Sequence, residues 1–433
     1  MTQEHLTPEH VILNTRRNSW LGLLALFTLG SLVETIFYGQ IIAFTPLYLP
    51  RLGVPLAETA RWTGLLASVS GLIGLPFLPL WGALADRYAR KPVIIRSFVV
   101  HLIAGVVASL AGNVWVFLIG RSISSLALGN SGLMMTTLAE RVSPRRQGLA
   151  FAVMNSAAPI GVFIGPLLGG PIVDRWGVRV LLGIDAVLLL GVVLALAFGY
   201  RDPYRGQKCD PLLHMAYDSL GILWRSLRLR LLLPALFLLF AGWMMAMIYV
   251  PVVVGKLYAG TRLGSVVGVV MGAGSLIALI LGPLMGGLAD RFGHWRVLFA
   301  GALALVVIWP LPMVMSGLVG LGIAWAVING LASGVFSVSF NVLASSASDS
   351  VRGRVMSFAY LPVNIGGILG PALGASLTQI SVMAVFPAAA LTTALGLGVL
   401  RLAARYPVSP DEEIHGKILD TDEPLDKLGA GNG

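Results

Sequence analysis

Inside long apolar runs stand the ionisable residues Glu34, within Ser31-Leu-Val-Glu-Thr-Ile-Phe-Tyr38-Gly-Gln40, then Arg121, then Asp185. Charges this rare within apolar runs mark either a working site or a pair neutralised for structural reasons. Tyr38 falls one helical turn from Glu34 on the same face. A buried guanidinium such as Arg121 near a carboxylate would hold that acid ionised until substrate or a change of geometry separated them. Asp185, near the outer end of its run, has a structural role as its other reading.

A second set of residues is patterned for motion rather than charge. Gly161-Val-Phe-Ile-Gly165-Pro166-Leu-Leu-Gly169-Gly170-Pro171 spaces its glycines by four, which makes a groove for close helix contact. The proline removes a backbone donor and lets the helix bend. A third pattern occurs twice where an apolar run stops: Gly82-Ala-Leu-Ala-Asp86-Arg87-Tyr-Ala-Arg90-Lys91, and Gly286-Gly-Leu-Ala-Asp290-Arg291-Phe-Gly-His-Trp295. Each reads as a helix leaving an apolar medium into a tight basic turn, with a small-residue face that another helix can approach. Asp86, Arg87, Arg90 and Glu140 are expected to form an ion-pair cluster, with Arg145 and Arg146 nearby. Polar and soft residues on other runs are candidates for a cavity wall: Tyr38, Gln40, Asn155, Trp243, Met247, Tyr249, Asn341, Tyr360 and Asn364. Packing or a lipid-facing belt is the other reading of the Trp243–Tyr249 stretch.

The elements that position these residues follow from composition. Of 433 residues 56% are hydrophobic and only 12% charged, with a mean hydropathy of +0.84. A water-soluble chain could not hide that much apolar surface, so the bilayer is its solvent. Runs of spanning length fall at about 19–49, 62–84, 93–111, 115–139, 150–173 and 178–199, then at 231–255, 264–288, 296–316, 318–344, 355–377 and 380–403. This predicts an all-α membrane protein of twelve transmembrane helices. Lysine and arginine concentrate in the even-to-odd connections and near both termini, which puts both termini in the cytoplasm.

Gly148, Gly165, Pro166 and Gly169 recur as Gly353, Gly370, Pro371 and Gly374 at a constant offset of 205 residues. The chain is therefore expected to be two pseudo-symmetric six-helix bundles, 1–199 and 231–403, with a substrate cavity between them. Residues 200–230 would be a cytoplasmic linker, read either as carrying an interfacial helix or as an inert tether, and 404–433 an acidic disordered tail.

These motifs are similar to those of the major facilitator superfamily, in which the repeated loop lies between helices two and three and again between eight and nine. The first copy departs from the family pattern at Ala89, where glycine is usual, and the second at Trp295, where a cation is usual. The Gly161–Pro171 run resembles the motif of the superfamily's drug:proton antiporters, which implies export by exchange. In the second half Ala375 stands at the place of Gly170. Arg121 resembles the family's helix-four arginine, with Ser125 and Ala127 replacing its usual glycines. Some exporters of the superfamily carry a functional acid in the first helix, so the resemblance implies a proton- or cation-binding role for Glu34, with Arg121 and Asp185 completing the proton-coupling set. It also implies that the Asp86–Glu140 cluster, with its second copy at Gly286, Asp290 and Arg291, is a conformational switch.

The expected function is proton-coupled efflux of small amphipathic compounds by alternating access, from a bacterial inner membrane, by a monomer whose partners are substrate, protons and lipid. A sugar or metabolite exporter, or an uncoupled facilitator, is the alternative. A polytopic membrane enzyme is the distant one, since no catalytic cluster is visible. The formal charge of +10 does not point to nucleic acid, because the cations lie between apolar runs rather than on one face. No phosphate-binding Gly-x-x-x-x-Gly-Lys-Ser/Thr occurs, so ATP is not the expected drive. No cofactor is expected. His101 and His294 lack partners at metal-ligand spacing, and Cys209 is the single cysteine, so no metal site is expected either.

Overall fold

The computed structural model describes residues 20–77, 90–127, 130–202, 226–347, 355–356 and 358–406. Gly82, Asp86 and Arg87 of the first basic turn lie outside the described residues, as do most of the expected linker helix and the tail from 407. The helices are α1 (Trp20–Tyr48), α2 (Thr59–Gly74), α3 (Arg90–Leu110), α4 (Val114–Ser124), α5 (Asn130–Arg141), α6 (Pro144–Trp176) and α7 (Val178–Gly199). They continue as α8 (Leu227–Leu257), α9 (Leu263–Phe292), α10 (His294–Ile308), α11 (Leu311–Val314), α12 (Gly317–Ala344), α13 (Leu361–Leu377) and α14 (Val385–Ala403). Among the described residues there is no strand, and nine helical segments are long and apolar enough to cross a membrane. Lipid offers no hydrogen-bond partners, so a spanning backbone must satisfy itself internally, as a helix does.

Three expected runs are interrupted. The run over 115–139 divides into α4 and α5, with Leu126 N–H and Ala127 N–H donating three residues back, to Ile123 and Ser124. Ser125 Oγ donates to the Ser122 carbonyl at 2.7 Å, the local serine bond that competes with a helix ladder. Close contact leaves the break no room to straighten, since a Cβ on Gly74 of α2 would sit 2.7 Å from the Ser125 carbonyl oxygen. The run over 296–316 breaks at Trp309-Pro310, and α13 starts only at Leu361, with a proline in its first turn.

At the second basic repeat the helix does not stop where expected. α9 runs through Gly286, Asp290 and Arg291 and ends at Gly293, whose φ of +96° is open to glycine without strain. Among the described residues no close helix contact is seen at the glycines of the small face: a Cβ on Gly286 or Gly287 would meet no described atom within 4 Å. Asp290 instead pairs along its own helix end with His294 Nε2, at 3.2 Å.

Packing explains the glycines of α6. Gly161, Gly165 and Gly169 back onto Thr35, Ile36 and Phe44 of α1, where a Cβ on Gly165 would lie 2.8 Å from the Ile36 carbonyl oxygen. Gly170 turns the other way, onto Gly264 and Ser265 of α9, and the Pro166 carbonyl meets Gly268. One motif therefore packs α6 against two helices. On the opposite side of the molecule α2 meets α13, where Ser68 Oγ donates to the Ile368 carbonyl at 2.7 Å. These contacts lie toward the end where α8 finishes and α9 begins, the end expected outside.

At the other end Arg90 and Glu140 form a two-pronged ion pair, Nη1 to Oε2 at 2.6 Å and Nη2 to Oε1 at 2.7 Å. It joins α3 to α5, both from the first half of the chain. The Arg90 hydrogen bonds hold the Glu140 carboxyl below its ordinary range. A depressed carboxylate contributes stability above its unfolded value, lost as pH falls through the folded one. Glu140 is 55% exposed on its side chain, so the contribution is small, of the order of 1 kcal/mol or less. Thermal unfolding in detergent should show Glu140→Gln slightly less stable than wild type at pH 7, and the gap closing below about pH 4.

Candidate functional site

A cavity of about 590 Å³ lies between α1, α2, α3, α4, α5 and α6 on one side and α8 and α13 on the other. Its polar lining comes from Glu34, Tyr38, Ser70, His101, Arg121, Ser124, Ser125, Asn130, Ser131, Asn155 and Asn364. Its apolar lining includes Met135, Met154, Met244, Met247, Ile248 and Ile368. A few polar groups in an apolar bowl suit small molecules that are themselves amphipathic. A second, open groove between α1 and α7, lined by Gly22, Leu23, Leu26, Leu194 and Phe198, offers no polar side chain.

Glu34 sits in this cavity with two partners. Its Oε2 accepts a hydrogen bond from Asn130 Nδ2 at 2.6 Å, and its Oε1 lies 3.6 Å from His101 Nδ1. The split of the fourth run makes the first contact possible: Asn130 opens α5, its Oδ1 accepting from the Ser131 amide at 2.9 Å while its Nδ2 reaches Glu34. His101 comes from the middle of α3, and its ring meets Phe37 edge-on with centroids 6.1 Å apart. Neither partner was read from the sequence. His101 was considered only as a metal ligand, and Asn130 stood inside a run expected to be continuous.

Arg121 lines the same cavity without touching Glu34. Its Nη1 donates to Thr45 Oγ1 at 3.0 Å, and its Nε is buried with no hydrogen-bond partner. Thr45 stands eleven residues beyond Glu34 on α1, about 16 Å along the axis, so the guanidinium is drawn away from the acid. The expected Glu34–Arg121 ion pair is thus replaced by Glu34–His101 and Arg121–Thr45. Asp185 is 2% exposed on α7, outside the cavity, with its Oδ2 unpartnered.

The other wall candidates divide. Tyr38, Asn155, Met247 and Asn364 line the cavity. Gln40 does not, because its Nε2 donates to the Gly165 carbonyl at 3.1 Å and ties α1 to α6. Tyr249 is fully buried, donating to the Pro371 carbonyl at 2.9 Å over Gly64, and seals α8 to α13 and α2. Trp243 donates to Asn329 Oδ1 at 2.9 Å and packs on Phe336. Tyr360 is 61% exposed and stacks on Phe340, and Asn341 is exposed beside it; neither lines the cavity. Among the described residues no group of three or more His, Cys, Asp or Glu is placed to hold a metal ion.

A polar cavity walled by membrane helices, with a small-residue motif packing the helices beside it, is a transporter's architecture. The sequence model of the Major Facilitator Superfamily matches residues 26–308 and again 257–424. The chain belongs to that superfamily. Among its relatives in the superfamily is the multidrug resistance protein MdtG of Citrobacter koseri, 27% identical over 378 residues that cover 86% of this chain and 91% of that protein. The MdtG of Yersinia enterocolitica is 28% identical over 370 residues, covering 84% and 87% respectively. Of the superfamily's solved structures, that of the nucleoside transporter NupG superposes with a TM-score of 0.75 over 89% of this chain and 99% of its own, at 15% identity. That likeness is one of fold. The protein is an integral, multi-pass membrane protein of a transporter superfamily.

Proposed function

We propose that this transporter exports small amphipathic compounds from the cytoplasm in exchange for protons, by exposing one cavity alternately to the two faces of a bacterial inner membrane. The observation that carries the reading is Glu34, an intramembrane carboxylate in the cavity wall, held by one hydrogen bond and one imidazole contact rather than by a fixed guanidinium. Such an acid can take a proton when the cavity faces one side and lose it when it faces the other. His101 Nδ1 lies 3.6 Å from the same carboxylate, so His101 is placed to act with Glu34. Arg121 and Asp185 are the remaining charges of the set. The relatives named for multidrug resistance and the α6 glycine motif both favour export.

In this reading the termini are cytoplasmic and residues 1–199 and 231–403 rock as two bundles about the cavity. The basic segments around Asp86, Arg87, Arg90 and Glu140, and around Gly286, Asp290 and Arg291, act as the switch at the inner end. One charge crossing 100 mV supplies about 2.3 kcal/mol, on the order of fiftyfold accumulation without ATP. The test is a pH-gradient assay in everted vesicles, offering rhodamine 6G and 8-anilino-1-naphthalenesulfonate separately. A transported dye should dissipate the gradient only in vesicles that contain the protein. Dye movement with no effect on the gradient would instead establish an uncoupled facilitator.

A further inference from the structure

The cavity holds a positive charge that no described residue neutralises. Arg121 makes one hydrogen bond, to the neutral hydroxyl of Thr45, and no ion pair with any described residue. Its Nε is shielded from solvent and unpartnered. Glu34, the other charge of the cavity, is already engaged by Asn130 and His101. A half-buried guanidinium with no described anion beside it is unfavourable, and the planar array of donors it presents matches an oxyanion. The same cavity has apolar lining from the second half of the chain, at Met244, Met247 and Ile368.

We propose that Arg121 is an anion-binding subsite, and that the preferred substrates are amphipathic organic anions: a carboxylate or similar oxyanion on the guanidinium, and an apolar body against the methionines. The assignment names the substrate class within the export reading above and rests on it only for direction, since binding needs no proton gradient. Tyr38 lines the same cavity, and its hydroxyl is a second donor there. Glu34 stays free to handle the proton, so substrate and proton occupy separate groups of one cavity.

The experiment uses the full-length protein in phosphatidylcholine nanodiscs and three fluorescent probes with one ring system: dansylglycine (anionic), dansylamide (neutral) and dansylcadaverine (cationic). The anion should bind on the order of tenfold or more tighter than the neutral amide, the scale of a charge-assisted hydrogen bond. Arg121→Gln should abolish that preference, and dansylamide should still bind, which reports an intact cavity. Arg121→Lys should keep part of it. Equal preference in wild type and Arg121→Gln, tighter binding of the amide or the amine by wild type, or no binding of dansylglycine up to millimolar concentration would each overturn the proposal. Adding one-third phosphatidylglycerol should change nothing. Loss of the preference there would put a lipid headgroup on Arg121 and overturn the solute assignment. The vesicle assay is independent: a chain that discriminates anions yet never moves protons fails the exchange reading and keeps the subsite.

Discussion

Glu34→Gln is expected to reduce proton-driven dye accumulation in everted vesicles to the level of vesicles without the protein, a loss of at least about tenfold, given that acid–base groups contribute factors of this size or larger. Glutamine keeps the shape of the side chain and still offers an oxygen to Asn130 Nδ2, which now lies 2.6 Å from Oε2. What it cannot do is exchange a proton. Exchange of labelled for unlabelled dye across proteoliposomes, which needs no net proton movement, should therefore persist. That split separates a coupling residue from a structural one, because a cavity that had collapsed would lose both activities. His101→Gln tests the pair. If the 3.6 Å contact positions the carboxylate, this variant should still accumulate dye but more slowly than wild type. Wild-type accumulation by Glu34→Gln would remove Glu34 from the mechanism and leave Asp185 as the intramembrane acid to examine.

The membrane-spanning architecture was legible because apolar length is a one-dimensional signal. The runs around Trp20–Tyr48, Val178–Gly199 and Gly317–Ala344 need no partner to be recognised. The break between α4 and α5 was not legible, since Ser-Ser-Leu-Ala-Leu-Gly is apolar enough to read as continuous helix, and what divides it is a serine turning onto its own backbone beside Gly74. The site was half legible for a related reason. Glu34 and Arg121 stand out as charges, but which face of a helix meets the cavity cannot be read where the helix is apolar all round. Tyr249 and Gln40 looked like wall residues and turned out to spend their polar atoms on the carbonyls of Pro371 and Gly165. His101 reaches Glu34 across 67 residues of sequence, and no local spacing announces that contact.

Gly170→Val should disable transport by a different route, holding the cavity open toward the end expected outside. A Cβ on Gly170 would stand 2.6 Å from the Gly264 carbonyl oxygen and 2.7 Å from Ser265 Cα, both backbone atoms of α9 that no rotamer change can move. The two helices must separate, and crowding of this kind costs about 1–3 kcal/mol or more. The cost falls only on the conformation in which α6 and α9 touch, so it shifts the balance between conformations by tenfold for each 1.4 kcal/mol or so. Asp174 strengthens the same contact: its carboxylate accepts from the Gly264 amide at 2.6 Å, the Ser265 amide at 2.9 Å and Ser265 Oγ at 2.5 Å, capping the start of α9. Asp174→Ala should therefore move the balance in the same direction, by less. The measurement is labelling of a cysteine at cavity-lining Ala67, in a Cys209→Ser background, by an impermeant maleimide added from the outer side. Labelling should rise in Gly170→Val and, more weakly, in Asp174→Ala. Gly183→Val, where a Cβ meets no described atom within 4 Å, should leave it at the wild-type level. Unchanged labelling in Gly170→Val, with the protein folded, would mean that the α6–α9 contact does not govern the outer opening, and the glycine motif would then be packing alone.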